Sequence, residues 1–322
     1  MLLKTLCYGD TAGDWWFAPG VWPAHLCIVM NRLLSEMLAH ADPSQVAGLS
    51  RFFKTGPGQY GEGDMFLGIK VPVTRAVVKA CWRETDFEAL GECIRSGYHE
   101  VRLAALLTLV QIFVHARKDA ALQQRCVAFY LGHMEFVNNW DLVDLSCYEI
   151  LGRWLLGCRP GDGRDSGGDQ SSSAAGGLCG SGGCPEGYMG EGVDDTMFPR
   201  DRGILYDHAD GDIPRDRRIL YDLARNGRTI WEQRIGIVST MQFIRHGELD
   251  DTYAIAEIFL DKPQPIHDLL QKAVGWLLRD AGKRDPDRLR RWLAVNRLRM
   301  PRTMLRYSIE KFPEAERQAL MA

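Results

Sequence analysis

Long hydrophobic runs are missing from the sequence, and this absence argues against a membrane-spanning protein. The longest apolar stretch, residues 104–114, is interrupted by Thr108 and Gln111, whereas a transmembrane helix needs about 20 apolar residues. Residues 1–30 lack a basic start, an unbroken apolar segment and a small-residue cleavage site, so we expect no secretion signal. We therefore expect a protein that works in the cytoplasm.

Cysteine is scarce, and metal-binding patterns are missing. Nine cysteines among 322 residues are too few for a disulfide scaffold, and an odd number cannot all pair, so we expect reduced thiols. The eight histidines show no metal-ligand spacing. Neither a Gly-x-Ser-x-Gly elbow nor a Walker sequence occurs, which leaves the common nucleophile and nucleotide sites without support.

Segments in which apolar and polar residues alternate, as they do in a half-buried β-strand, are also scarce, so we predict no sheet. Apolar residues recur instead with helical spacing, as in residues 101–112, and similar stripes run through residues 140–154, 235–243 and 269–277. The periodic segments span about 10–18 residues and are joined by short polar connectors, a layout typical of stacked antiparallel helix pairs. Residues 99–105 resemble the second helix of a HEAT repeat. We therefore predict an all-α, HEAT-like solenoid of αα-hairpins.

The composition divides the chain into four segments. Residues 1–29 contain scattered glycines and tryptophans without a clear period, and we predict a poorly structured extension there. Residues 160–215 are rich in Gly and Ser and hold 11 acidic against 4 basic residues, so we predict a disordered acidic insertion. The helical repeats then fall into an N-terminal half, residues 30–159, and a C-terminal half, residues 216–322.

A short duplication overlaps the end of this insertion. Residues 199–207 read Pro-Arg-Asp-Arg-Gly-Ile-Leu-Tyr-Asp, and residues 214–222 read Pro-Arg-Asp-Arg-Arg-Ile-Leu-Tyr-Asp. The second copy continues into helix-compatible sequence, whereas Gly203 interrupts the first. We therefore predict that the second copy leads into the C-terminal half and that the first copy is the inserted one.

Basic residues are concentrated near the C-terminus. Residues 279–306 hold ten basic residues against three acidic ones, and most of the ten are arginines, which pair bidentately with phosphate oxygens. A solvated helix face is the alternative interpretation of such a charge run. On the first interpretation, the concave face of the solenoid is basic and binds a nucleic-acid backbone through five candidate residues: Arg279, Lys283, Arg284, Arg299 and Arg302.

Residues 56–61 match the pattern G-x-G-x-x-G, but their context argues against a dinucleotide site. No strand is predicted before them, Pro57 removes one amide that would bind phosphate, and the next helix begins only near Pro72. We interpret these residues as a glycine-rich turn between two helices.

Trp140 and Asp144 are four residues apart and therefore share one face of a predicted helix. A carboxylate among apolar neighbours must be paired, exposed in a cleft or functional. A structural contact is the alternative interpretation of this aspartate, as it is of Arg234 and Trp276.

Several stretches together resemble the AlkD-like DNA alkylation repair family, whose members are alkylpurine DNA glycosylases with HEAT-like repeats. In sequence order they are Arg-Phe-Phe-Lys-Thr-Gly (51–56) with Phe-Leu-Gly-Ile-Lys-Val-Pro (66–72), Trp-Asp-Leu-Val-Asp (140–144), Ile-Trp-Glu-Gln-Arg (230–234), Lys-Ala-Val-Gly-Trp-Leu-Leu-Arg (272–279) and Met-Pro-Arg-Thr-Met-Leu-Arg-Tyr (300–307). The resemblance covers roughly residues 30–160 and 215–315, and the acidic insertion lies outside it.

The resemblance implies roles for individual residues. Asp144 matches the catalytic carboxylate of the family, and Trp140 matches a tryptophan that packs beside it. Trp276 matches a second cleft tryptophan and Arg234 an arginine that contacts DNA, so these two and Trp140 are the expected substrate-binding residues. An aromatic residue that some members carry near the first helix corresponds to Phe52, which has no hydroxyl group.

The implied activity is excision of cationic alkylated purines, of the 3-methyladenine and 7-methylguanine type, from double-stranded DNA. The positively charged base is already a good leaving group, so the enzyme has only to stabilise the oxocarbenium-like sugar that develops, and a carboxylate does so by its charge. We expect a monomeric, nucleoid-associated, monofunctional glycosylase without a metal or other cofactor. A non-catalytic protein that binds unusual DNA structures and a HEAT-like protein-interaction scaffold are the alternatives.

Overall fold

The computed structural model of the chain describes residues 31–156 and 215–322. The predicted N-terminal extension, the first copy of the duplication and nearly all of the 160–215 insertion lie outside the described residues. Both described parts consist of helices and connecting loops, and strand pairing within them is limited to one isolated bridge between Met65 and Tyr98. The prediction of an all-α, solenoid-like fold is confirmed.

The helices have the following bounds. In residues 31–156 they are α1 (Arg32–Ala39), α2 (Pro43–Phe52), α3 (Val71–Cys81), α4 (Phe87–Ile94), α5 (His99–His115), α6 (Ala120–Gly132), α7 (Trp140–Asp144) and α8 (Arg153–Leu156). In residues 215–322 they are α9 (Arg218–Asn226), α10 (Ile230–Val238), α11 (Met241–Arg245), α12 (Asp250–Leu260), α13 (Asp268–Arg284), α14 (Pro286–Asn296), α15 (Arg302–Ser308) and α16 (Glu314–Met321). The second copy of the duplication leads into α9, as predicted. None of these described helices is long and apolar enough to cross a membrane.

Helix α5 lies at the centre of the N-terminal half. Of its 17 residues, 13 are buried, and a helix buried on nearly every side must be enclosed by others. Helices α1, α3, α4 and α6 pack around it. The buried carboxylate of Glu100, in its first turn, accepts hydrogen bonds from the backbone N–H groups of residues 67–69 at 3.0, 2.9 and 3.1 Å. These bonds hold the loop that leads into α3.

Residues 140–154 do not form the single helix that their apolar stripe predicts. Helix α7 ends early, a π-helical turn follows at Tyr148–Gly152, and α8 completes the segment. A Cβ on Gly152 would lie 2.5 Å from the carbonyl oxygen of Ser239, so the backbone is pressed closely against the C-terminal half at this point. Residues 235–243 likewise divide into two helices, α10 and α11. Close tertiary packing therefore overrides a continuous helical period in both segments.

The two halves share one hydrophobic core. Helix α10 contacts α7 of the N-terminal half and α13 of its own half. Helix α13 packs in turn against α14 and α15, and a Cβ on Gly275 of α13 would lie 2.6 Å from the carbonyl oxygen of Met304. The residues of α7, α10 and α13 therefore meet along one seam between the halves.

Candidate active site

A buried ionic network holds the start of α7. The imidazole of His99 lies between two carboxylates, Asp64 at 3.1 Å and Asp141 at 2.9 Å. Burial alone would lower the pKa of His99, but its hydrogen bonds to Asp141 and Asp64 raise the pKa to about 8. Asn139 contacts Asp64 and caps the first backbone N–H of α7. Although this network contains both carboxylates and a histidine, no group of three or more His, Cys, Asp or Glu side chains in the described residues is placed to hold a metal ion.

An aromatic cluster fixes Trp140 at the beginning of α7. Its indole stacks on the ring of Phe53, with the centroids 5.5 Å apart, and meets the ring of Phe52 edge-on at 5.8 Å. The ring of Phe53 also stacks on the ring of Phe66, in the loop that leads into α3. Phe52 is 61% exposed, so the cluster is open to solvent on that side. An exposed aromatic surface of this kind is typical of sites where nucleic-acid bases stack.

Asp144 lies one helical turn after Trp140 and is bound by Arg234 from α10. Arg234 Nε donates to Oδ1 of the carboxylate at 2.8 Å, and Nη2 donates to Oδ2 at 2.7 Å. Arg234 Nη1 donates to the carbonyl oxygen of Leu269, near the start of α13. The side chains of Arg234 and Asp144 are 7% and 15% exposed. The structure therefore brings the two predicted residues together in a nearly buried, bidentate ion pair.

Burial and Arg234 act in opposite directions on the Asp144 carboxylate. Burial raises the pKa of Asp144, whereas the hydrogen bonds and the charge of Arg234 lower it, and the net result is a pKa above the ordinary value. The guanidinium group therefore favours the ionised form of a carboxylate that burial alone would protonate even more readily. The arrangement provides a negative charge of fixed orientation at the seam.

Two residues that the sequence analysis missed, Tyr60 and Lys272, lie beside this pair. The ring of Tyr60 meets Trp231 of α10 edge-on, with the centroids 5.9 Å apart, and the Tyr60 hydroxyl lies beside the Trp140 side chain. The charge of Lys272, from α13, acts on the same hydroxyl. Both residues occur in stretches that the sequence analysis singled out, but no periodic pattern links the glycine-rich turn to α10 or α13.

Trp276 and the five predicted backbone-binding residues lie on α13 and beyond it. Trp276 is half-buried, and it shares one face of α13 with Lys272 by its spacing of four residues. Each of the five has a partner within the protein: Glu310 for Arg279, Asp280 for Lys283, the Arg245 carbonyl for Arg284, Asp261 for Arg299 and the Met321 carbonyl for Arg302. The pair of Arg299 with Asp261 is exposed on both sides, and because exposed ion pairs contribute at most about 1 kcal/mol, this pair can exchange for phosphate. Contact of the five residues with DNA stays a prediction.

Comparison with known proteins identifies a family and a fold. The family model described as "DNA alkylation repair enzyme" matches residues 33–162 and 195–312. A solved structure described as "Predicted DNA alkylation repair enzyme from Enterococcus faecalis" is similar, with a TM-score of 0.51 and 14% sequence identity, over 85% of this chain and 97% of that one. At this identity the likeness shows the fold alone. No functionally curated protein matches significantly.

Proposed function

Because the chain belongs to the DNA alkylation repair enzyme family, we propose that it is a monofunctional DNA glycosylase for cationic alkylated purines. Membership of the family supports a role in the repair of alkylated DNA. The specific reaction, hydrolysis of the N-glycosidic bond, is our proposal. Its substrate is double-stranded DNA that carries bases of the 3-methyladenine or 7-methylguanine type. Alkylation at N3 or N7 leaves a positive charge on the purine, which weakens the N-glycosidic bond and makes protonation of the leaving base unnecessary.

The position of the Asp144 carboxylate carries the proposal. Two hydrogen bonds from Arg234 fix it, it retains 15% exposure, and it lies one helical turn from Trp140 in an aromatic cluster that is open at Phe52. Positive charge develops on the sugar as the bond between C1′ and the base breaks. A carboxylate that is already oriented in a poorly hydrated site stabilises this charge without reorganisation, which is usually the largest contribution to catalysis.

Water completes the reaction at the sugar. The electron pair of the C1′–N bond leaves with the base, which departs as a neutral purine, and the oxygen of a water molecule bonds to C1′. The water loses a proton to solvent, with Asp144 orienting it for the attack, and an abasic site remains. Trp140 and Trp276 contribute cation–π attraction of about 0.5–2 kcal/mol each to the charged base.

The ion pair also favours a second candidate function, a non-catalytic protein that binds DNA of unusual structure. A carboxylate matched by a guanidinium group carries little net charge, and such a pair can serve only to join two elements, here α7 and α10. In that case Asp144 is a structural residue and the basic C-terminal half is sufficient for the function.

Incubation of the protein with a duplex that contains 7-methylguanine distinguishes the two candidates. The glycosylase proposal predicts heat-labile abasic sites together with release of the free base, and an unmethylated duplex of the same sequence serves as the control. A mobility shift without heat-labile sites would identify a binding protein instead. Absence of both would favour a protein-interaction scaffold.

A further inference from the structure

The glycine-rich turn at residues 56–61 packs against the site although the proposed chemistry makes no use of it. The backbone N–H of Gly56 donates to the side chain of Gln59 at 3.1 Å. That of Gly58 donates to the side chain of Glu62 at 2.8 Å. These amides are satisfied within the turn and its flank, so they do not form a phosphate cradle. The contribution of the turn to the site is instead the side chain of Tyr60, which it positions.

Gly61 allows the turn to lie directly on the aromatic cluster. A Cβ on Gly61 would be 2.4 Å from the carbonyl oxygen of Phe53, which no larger residue tolerates, and the Gly61 N–H donates to the carbonyl oxygen of Lys54 at 3.0 Å. The turn therefore returns to the residue whose ring stacks on Trp140. Tyr60, directly before Gly61, reaches the seam between the two halves for this reason.

The Tyr60 hydroxyl has an unused proton. The hydroxyl lies beside the Trp140 side chain, and the ring rests against Trp231. No residue in the described parts of the chain accepts the phenolic proton. Burial raises the pKa of Tyr60, although the neighbouring Trp140 side chain and the charge of Lys272 oppose this effect, so the hydroxyl stays protonated at neutral pH and remains a donor.

Lys272 brings a positive charge to the same place. It lies on α13 three residues after Leu269, whose carbonyl oxygen is bound by Arg234. Its ammonium group contacts Asp268, four residues earlier, at 2.6 Å, and the two side chains are 38% and 56% exposed. Exposed pairs of this spacing are weak, so Lys272 readily exchanges this carboxylate for a stronger anion.

We propose that the Tyr60 hydroxyl and the Lys272 ammonium group together bind a backbone phosphate of the damaged strand, next to the nucleotide that loses its base. A phosphate diester offers two anionic oxygens, and each donor takes one of them. Tyr60 lies beside Trp140, and Lys272 lies three residues after Leu269, whose carbonyl oxygen is bound by Arg234. A phosphate held by both donors therefore places the adjoining sugar near Asp144. This inference rests on the proposed function in that it takes DNA as the ligand.

Binding to an uncleavable duplex tests the inference without any need for turnover. The duplex carries a tetrahydrofuran abasic analogue, and in a series of duplexes one phosphate at a time on that strand is replaced by a neutral methylphosphonate. Fluorescence anisotropy gives the dissociation constants of wild type, Lys272→Gln and Tyr60→Phe. Lys79→Gln, at an exposed position of α3, and Tyr98→Phe are the matched controls.

We expect Lys272→Gln to weaken binding about tenfold, as for one charged hydrogen bond, and Tyr60→Phe to weaken it about threefold. One methylphosphonate beside the analogue should weaken binding by wild type about tenfold but binding by Lys272→Gln at most about threefold, because only the Tyr60 contact remains in that variant. Both control variants should bind as wild type does.

Equal methylphosphonate penalties for wild type and Lys272→Gln at every position would overturn the inference, as would unchanged binding by Lys272→Gln. Lys272 is partly exposed, so its variant decides the matter even if Tyr60→Phe folds poorly. Absence of base excision in a protein that shows the methylphosphonate coupling would overturn the glycosylase proposal and leave the phosphate contact standing.

Discussion

The Asp144 carboxylate is nearly buried, and an isolated carboxylate in such a place is normally protonated. Its two hydrogen bonds to Arg234, at 2.8 and 2.7 Å, oppose this tendency because they are made to the ionised form. The third contact of Arg234, to the Leu269 carbonyl, keeps the guanidinium group from turning away. A negative charge is therefore oriented before any substrate binds, as the proposed stabilisation of a sugar cation requires.

Replacement of Arg234 by Gln tests this role. The variant leaves a buried carboxylate without a counter-charge, which we expect to lower the free energy of unfolding by roughly 3–5 kcal/mol and to raise the pKa of Asp144 further. Excision is lost when Asp144 is protonated, so the acid limb of the pH–rate profile for 7-methylguanine release should move to higher pH. Urea unfolding and single-turnover rates across the acid and neutral range measure the two effects.

Two further variants complete this experiment. Arg234→Lys keeps a positive charge without the bidentate geometry, and its acid limb should lie between those of wild type and Arg234→Gln. Arg153→Gln removes a partly buried ion pair with Glu149, which contacts neither Asp144 nor Arg234, and should leave the profile unchanged. An acid limb that stays at its wild-type position in Arg234→Gln would contradict the role given to this arginine.

The sequence predicts one part of this site better than the other. The face shared by Trp140 and Asp144 follows from helical spacing, and the resemblance to a repair family points to the same residues. The positions of Tyr60 and Lys272 could not be predicted, because both contacts join segments that are distant in sequence and unrelated by any period. The resemblance also places an aromatic residue without a hydroxyl at Phe52, whereas the structure places the hydroxyl of Tyr60 beside Trp140.

At the scale of the element, α7 depends on its surroundings. It has five residues, far fewer than an isolated helix needs to be stable in water. Its first backbone N–H is capped by Asn139, and His99 binds both Asp141 inside the helix and Asp64 outside it. The apolar stripe predicts a longer helix over residues 140–154 because periodicity records which residues are apolar and not how closely another backbone approaches them.

The free energy of unfolding should depend on the protonation of His99. Burial alone would lower the pKa of His99, but Asp141 and Asp64 raise it from 6.5 to about 8, so the folded protein binds this proton more tightly than the unfolded chain does. The resulting stabilisation, roughly 2 kcal/mol, is fully present below pH 6.5 and is lost as the pH rises through about 8. Urea unfolding at a series of pH values measures it.

His99→Gln should remove this pH dependence, since Gln does not titrate. His40→Gln alters an exposed histidine at the end of α1 and should keep the wild-type dependence. If His99→Gln loses stability over the same pH interval and by the same amount as wild type, the titrating group is not His99.

At the scale of the whole molecule, the site exists only where the two halves of the chain meet. The N-terminal half supplies Trp140 and Asp144, and the C-terminal half supplies Arg234 and the exposed face of α13. The fold class could be predicted because apolar residues recur with helical spacing along both halves, although the sequence has no exact repeat. The contacts between helices could not, since they depend on close approaches such as that of Gly275 to Met304.

The basic charge that would bind DNA is spread over many residues, whereas the proposed catalysis depends on one residue. Residues 216–322 hold 20 basic against 15 acidic residues, and DNA affinity that arises from many such contacts is shared among them. The proposed catalysis depends instead on one carboxylate. Binding and excision should therefore be separable by a single substitution that removes the charge of Asp144 and leaves its shape.

The decisive measurement is the single-turnover rate at which Asp144→Asn releases 7-methylguanine from duplex DNA. We predict a rate at least about 100-fold below that of wild type, because the variant cannot offset the charge that develops on the sugar, together with little change in the Kd for the abasic-analogue duplex. Asp250→Asn, at a position whose side chain is 90% exposed, should behave as wild type in both assays. Release by Asp144→Asn at the wild-type rate would contradict the proposed mechanism.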